Sequence, residues 1–336
     1  EQQEQWPKAI ELYDGWLATF TNHPARPSAE YFRGWANFQA RRDTNALSCF
    51  TNFLVRFPTN EFSPLAQWWV ADYYFRQGSP ADLKTAEMNY QLLALNWPGS
   101  QLAYQARMMA GRVAVKRQGW SDAKDYFTKL WNDTNGPPEL RAQALFALGD
   151  TLMSIVDSSD TNKLANYDQA INAFEQICRS YPSNRLAVLA WGEKALCHLQ
   201  AAQYSEYDRA SNAFRQVIEA PLTNGMARSI ATIGLGLVLE KQAQQKTGAE
   251  QTTLLKLALN HYLDVFDGKV LHEGEQPDLF WTQKAGLEAG RLAEALQEWS
   301  PALHVYERLQ ELLPPLRPKL EKSILKAQEQ LARQKT

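Results

Sequence analysis

The sequence predicts an all-α chain, a right-handed α-solenoid of helical hairpins closed by a C-terminal capping helix. Three observations carry that expectation. A small residue, an aromatic four residues on and a proline eight further recur in phase along the chain. Between these anchors the apolar residues keep helical spacing, and no convincing run of alternating residues marks a strand.

The recurring anchors are Ala46–Phe50–Pro58, Ala86–Tyr90–Pro98, Ala170–Phe174–Pro182 and Ala302–Tyr306–Pro314. Ala123–Phe127 and Ala210–Phe214 fit with the proline displaced to Pro137 and Pro221, and Ala258–Tyr262 fits without it. Twelve residues before the alanine stands Gly34, Gly111 or Gly290, and Tyr74 and Ala195 replace the glycine in two further units. A small residue suits the crossing of two helices, because a larger one holds the backbones apart. The alanine does the same from the second helix, and the aromatic fills the space between successive units. Proline ends the second helix, since it has no N–H and disfavours helix in the residue before it.

A second signature marks the junctions between hairpins. Pro98-Gly-Ser-Gln-Leu-Ala103-Tyr-Gln-Ala106 aligns without a gap with Pro182-Ser-Asn-Arg-Leu-Ala187-Val-Leu-Ala190. Ser63-Pro64-Leu65-Ala66 reads as the same core after a three-residue insertion. Ser63, Ser100 and Asn184 are therefore N-cap candidates, with Pro64 at the tolerated first helical position.

These boundaries predict first helices at about 28–41, 63–77, 100–118, 139–156, 184–201, 225–245 and 278–298. Their partners fall at about 43–57, 82–96, 121–133, 164–181, 206–219, 251–266 and 301–313. Seven hairpins thus fill 25–315. Leu145, Leu148, Leu152 and Ile155 form one apolar stripe of this kind, and Leu255, Leu259, Tyr262 and Phe266 another. Residues 1–24 carry Ala9 and Tyr13 in second-helix phase with no first helix before them, so the array is expected to continue upstream. Residues 316–336 set Leu316, Leu320, Ile324, Ala327 and Leu331 on one stripe opposite a mostly basic face, as a solenoid cap requires. Polar inserts at 157–163, 244–253 and 267–277 lengthen individual turns and offer exposed rims.

Composition narrows the function. The 35 basic side chains are balanced by 37 acidic ones, so the dominant basic field that phosphate neutralisation needs is missing and nucleic acid is not expected as the main ligand. The 11 Trp, 13 Tyr and 14 Phe are a load for burial and argue against disorder. No apolar stretch approaches the roughly 20 residues of a membrane helix. Cys49, Cys178 and Cys197 lack metal spacing and read as small buried apolar residues; a disulfide between Cys178 and Cys197, on neighbouring helices, is the alternative.

No catalytic group, cofactor or metal is nominated. His23, His198, His261, His272 and His304 are scattered, and the one local cluster, His272-Glu273-Gly-Glu275, reads as a solvated loop. Gly234-Leu-Gly236 lacks the rest of a dinucleotide fingerprint and reads as close helix packing. Asp157 and Asp160 stand in a hydrophilic insert with nothing apolar to raise a pKa.

The glycine, alanine, aromatic and proline phase, at a base period of 34, resembles the tetratricopeptide repeat over about residues 7–316. The first-helix Trp of that family is mostly absent. What the resemblance implies is binding by shape, with first-helix positions 2, 5, 9, 12 and 13 facing inward. From those positions the groove candidates are Tyr31, Trp35, Phe38, Met108, Arg112, Lys116, Phe146, Asp150 and Arg291. The alternative for Trp35, Trp68, Trp69 and Trp191 is packing between units. The Lys and Asn set that clamps a C-terminal carboxylate in chaperone-binding members is replaced by Tyr31/Trp35 and Met108/Arg112, so that role is not implied. Protein or peptide partners are.

The Pro-x-Ser/Asn-x-Leu-Ala junctions and the Phe-Pro, Trp-Pro and Tyr-Pro helix ends are similar to those of bacterial envelope members. Those members are the outer-membrane-assembly lipoprotein and the periplasmic coordinator associated with the Tol–Pal system. That similarity implies a non-catalytic scaffold in a periplasmic or envelope-associated assembly. The alternatives are the substrate-recruiting region of a larger enzyme and a cytoplasmic regulator.

Overall fold

The computed structural model describes residues 5–155, 160–182, 184–201 and 207–334. Among them stand sixteen α-helices and one 3₁₀ turn, with no strand. The chain divides into two compact units, Glu1–Ile155 and Val156–Thr336. The first holds α1 (Trp6–Thr19), α2 (Arg26–Gln39), α3 (Asp43–Arg56), α4 (Ser63–Gln77), α5 (Pro80–Asn96), α6 (Leu102–Lys116), α7 (Trp120–Asn132) and α8 (Pro138–Ser154). The second holds α9 (Asp160–Ser180), α10 (Arg185–Ala201), α11 (Tyr207–Glu219), α12 (Gly225–Ala243), α13 (Gly248–Phe266), α14 (Leu279–Ala295), α15 (Trp299–Leu312) and α16 (Arg317–Gln334). Every expected hairpin helix is present, its ends shifted by a few residues at most. The insert at 157–159, the side chain of Asp160 and the boundary at 206 lie outside the described residues.

Within each unit every helix packs on the next in the chain, as antiparallel hairpins with short turns must. First helices also meet one another: α4 touches α6 and α6 touches α8, while α10 touches α12 and α12 touches α14. No pair of second helices meets to the same extent among the described residues. The fold is an all-α solenoid, and each unit has a first-helix face, closely packed, opposite a splayed second-helix face.

The repeat register differs from expectation in one hairpin. Ser63 is buried and donates from Oγ to the Phe57 carbonyl at 2.6 Å, so it does not cap α4. Asn60 takes that place: its Oδ1 accepts from the Phe62 amide at 2.9 Å, as Ser100 accepts from Leu102 at 3.2 Å and Asn184 from Leu186 at 2.9 Å. Pro58, Pro98 and Pro182 therefore align without any insertion, and the three extra residues lengthen the start of α5, which runs six residues before Ala86 where α7 runs three before Ala123. The small residue at the crossing is then Ala71, fully buried with Tyr90, and not Tyr74.

The turns confirm this register. Seven residues after the crossing position the chain enters the left-handed region at Arg41 (φ 60°), Gln118 (φ 62°) and Gln297 (φ 59°), and Gly78 (φ 74°) follows Ala71 by the same count. At each non-glycine site the next amide bonds back into the first helix: Arg42 to Asn37, Gly119 to Ala114 and Glu298 to Ala293, all at 2.8 or 2.9 Å.

Glycine serves close packing elsewhere. A Cβ on Gly111 would stand 2.4 Å from Phe127, and one on Gly290 2.6 Å from Tyr306. In Gly234-Leu-Gly236 the first glycine receives the Phe214 ring of the preceding hairpin and the second the Tyr262 ring of its own. Two aromatic wedges meeting one helix account for the paired glycines. The cysteine thiols are free; burial pushes that of Cys178 up to about 12.

At the ends, α1 buries Ile10 and Leu17, whereas Ala9 and Tyr13 are only half-buried and Leu12 is exposed. The last helix buries Leu320 and Ala327 on α15. Leu316 belongs instead to the 3₁₀ turn Pro314–Leu316 and is exposed, so the capping stripe begins one turn later than expected.

Candidate partner-binding surface

The C-terminal halves of α2, α4 and α6 carry a repeating arrangement of rings and cations. Four residues after the crossing position stand Phe38 on α2 and Phe75 on α4; five residues after it stand Arg76 on α4 and Lys116 on α6. The Arg76 guanidinium lies 5.6 Å from the Phe38 ring centre, and the Lys116 ammonium 4.4 Å from that of Phe75. Each ring thus receives the cation of the following hairpin, a favourable contact of the cation–π kind. Arg76 is also held by Asp72 at 3.0 Å and by Asp43 at 3.6 Å. Trp35 stands 5.6 Å from Phe38, ring to ring, and keeps 38% of its surface exposed. One turn before Lys116, Arg112 is exposed.

Two of the predicted groove residues are core side chains. Tyr31 is 8% exposed, stacked on Phe62 at 4.6 Å and close to Phe50 and Phe53. Met108 is 4% exposed among Ala123, Phe127, Leu130 and Ala144. Both stand at inward position 5, which in these two hairpins faces the side chains of the neighbouring helices. Phe146 is half-buried and Asp150 exposed on α8. Among the tryptophans, Trp69 packs between Phe38 and Phe50, and Trp68 sits edge-on to Tyr90.

Arg291 belongs to the second unit and is engaged there. Its guanidinium binds Glu240 at 2.7 Å and Glu288 at 2.8 Å, while the Tyr262 hydroxyl donates to the same Glu240 at 2.7 Å. Glu294 likewise accepts from Tyr306 at 2.8 Å and pairs with Lys326, which holds its carboxyl below the usual range. The first-helix charges here neutralise one another. Phe75 and Arg76 are not among the sequence's groove candidates, and they come into inward phase only when Ala71, and not Tyr74, is the crossing residue of α4. Gly78, read as the left-handed turn residue, is the signal that recovers them.

The second-helix faces hold clefts. One of about 590 Å³ in the second unit lies between α9 and α11 over α10, lined by Glu175, Trp191, Lys194 and His198. Lys194 there pairs with Glu175 at 3.2 Å and lies over Trp191. Another, of about 470 Å³ in the first unit, is walled by Ala94, Leu95, Ala110 and Tyr126. Among the described residues no group of three His, Cys, Asp or Glu is placed to hold a metal ion, and no helix is long and apolar enough to cross a membrane. The His272–Glu275 cluster is structural, because Glu275 pairs with the buried Arg228.

Residues 141–184 match the family model of the tetratricopeptide repeat. No curated protein sequence matches the chain significantly. Among solved structures it resembles the C-terminal part of a TPR repeat-containing protein from Cytophaga hutchinsonii. The TM-score is 0.54 at 12% identity, over 88% of this chain and 99% of that one. It also resembles a Signal Transduction ATPase with Numerous Domains from Pyrococcus horikoshii that has a tetratricopeptide repeat sensor. There the TM-score is 0.52 at 14% identity, over 89% of this chain and 44% of that one.

Proposed function

We propose that this chain, a tetratricopeptide-repeat protein, is a protein-interaction scaffold that holds a partner's segment on the first-helix face of its N-terminal unit. The observation that carries the reading is the exposed Trp35 ring beside Phe38, next to cations held over Phe38 and Phe75. An exposed aromatic beside positioned charges is the composition of a binding hot spot. The array contributes shape and fixed side chains, and the partner supplies any chemistry. A photo-crosslinking amino acid at position 35 tests it, with position 55 on α3 as an exposed control. Adducts with a discrete protein at 35 and not at 55 are expected; equal labelling at both, or none at 35, overturns the reading.

The junction residues shared with bacterial envelope members support a finer reading, a scaffold in a periplasmic or envelope-associated assembly. Fractionation of the source cell, followed with an antibody to this chain, tests it: recovery with the envelope supports it, and recovery in the cytosol alone replaces it with a cytoplasmic regulator. The Pyrococcus protein, which joins a tetratricopeptide repeat sensor to an ATPase, favours one further reading, a recruiting region within a larger enzyme. A longer natural reading frame containing a catalytic domain would select it.

A further inference from the structure

The cations of the N-terminal unit are not spread evenly. Most are engaged: Arg56 with Glu30, Arg107 with Asp133, Arg117 with Glu87 and Lys129 with Asp125. Apart from Lys8 on α1, those making neither an ion pair nor a side-chain hydrogen bond among the described residues are Arg41, Arg42, Arg112 and Lys116. All four lie along one edge, where the first helices α2 and α6 run into their hairpin turns. Contacts make the edge continuous. Arg76 reaches Asp43, the residue after Arg42, and lies over Phe38; Lys116 lies over Phe75 and 3.8 Å from the position a Cβ would take on Gly78. The exposed Trp35 stands beside Phe38 on the same helix.

We propose that this edge docks an acidic peptide segment carrying one apolar anchor, its carboxylates meeting Arg112, Lys116 and the Arg41–Arg42 turn and its anchor seated on Trp35. The inference rests on the scaffold reading and names the partner's chemistry. Unpaired positive charge on a chain of net charge −2 is complementary to an acidic ligand and sets orientation and encounter rate. Single-stranded nucleic acid fits the edge less well. Stacking of successive bases needs several free ring faces, and here Phe38 and Phe75 are already covered by Arg76 and Lys116, leaving Trp35.

The test uses the full chain and three fluorescent probes. These are a peptide with Glu and Asp flanking a single Leu, its counterpart with Lys for every acid, and an oligothymidylate of the same length. Fluorescence anisotropy is read for wild type, for the doubly reversed Arg112→Glu/Lys116→Glu variant, and for Lys322→Glu on α16 as a charge control. Circular dichroism checks that all three are folded. The acidic peptide is expected to bind wild type and Lys322→Glu alike, to lose about tenfold or more in affinity on the double reversal, and to weaken with salt. Equal binding of the Lys peptide, tighter binding of the oligothymidylate, acidic-peptide binding that survives the reversal, or no acidic-peptide binding overturns the inference. Any of these leaves the scaffold reading standing if position 35 still cross-links a protein, because that readout does not depend on the partner's charge.

Discussion

The Arg228 guanidinium, 3% exposed on α12, closes on the Glu275 carboxylate in the link between α13 and α14. Arg228 also donates to the Val270 carbonyl at 2.8 Å and to that of Thr223 at 2.9 Å. Glu275 accepts in turn from the His272 amide at 2.8 Å and the Gly225 amide at 3.1 Å. The insert at 267–277 is therefore a clasp that folds back over the start of α12, and its acidic residue is what makes a buried arginine tolerable.

A pH dependence follows. The His272 amide, with the Arg228 charge beside it, holds the Glu275 carboxyl below its ordinary range. A carboxyl whose folded pKa is depressed contributes stability that is fully present above its unfolded value, about 4.3, and is lost as pH falls through the folded one. Wild type is thus expected to be more stable than Glu275→Gln at neutral pH, with the gap closing in acid below the ordinary carboxylate range. Thermal midpoints across a pH series check it; a gap that stays constant into acid would mean that the charge of Glu275 does not hold the clasp.

The crossing glycines are graded. A Cβ on Gly111 would meet the Phe127 ring at 2.4 Å, whereas one on Gly34 would meet the Phe50 ring at 3.0 Å. Gly111→Ala is expected to destabilise by about 1–3 kcal/mol through overpacking, and Gly34→Ala by less. Phe127→Leu in the Gly111→Ala background should cost less than the two single changes added, because the shorter side chain vacates the same space. Urea denaturation of the four variants decides it, and simple additivity would separate Gly111 from Phe127.

The sequence displayed its helices clearly because each hairpin repeats local chemistry: a small residue where backbones approach, an aromatic to fill the gap, proline to stop the helix. It misled where two residues compete for one role. Ser63 looks like a cap, but Asn60 does the capping and frees Ser63 to bond the Phe57 carbonyl. That single exchange displaces the repeat register within α4 by three residues, which takes Phe75 and Arg76 out of inward phase. Tyr31 and Met108 were placed in the groove by their position in the repeat, yet their burial depends on which side chains of the neighbouring helices close over them, which spacing does not encode. The partnering of Arg291 with Glu240 joins residues on different hairpins and was equally invisible.

The left-handed turn residues offer a stabilising change. Gln118 has φ 62° and Gln297 φ 59°, a region in which a side chain raises the energy by roughly 1–2 kcal/mol relative to glycine. Gln118→Gly and Gln297→Gly are each expected to add up to about 1 kcal/mol after the greater freedom of glycine in the unfolded chain is offset. Gly78→Ala, at φ 74°, should lose about as much. Denaturant midpoints measure all three, and a loss of stability in Gln118→Gly would show that its side chain, and not the turn geometry, holds the hairpin.

Trp35 and Tyr31 lie one helical turn apart on α2 and are expected to respond in opposite ways. Tyr31 packs against Phe50, Phe53 and Phe62, so Tyr31→Ala opens a cavity and should destabilise by about 3–5 kcal/mol, as for other large aromatic truncations. Trp35 is exposed over 38% of its surface and touches Phe38, so Trp35→Ala should lose little stability while weakening a bound partner by about 2 kcal/mol or more. Parallel thermal melts and binding titrations of the two variants separate the roles. A Trp35→Ala variant that melts as early as Tyr31→Ala would make Trp35 a core residue and leave the first-helix edge without its anchor.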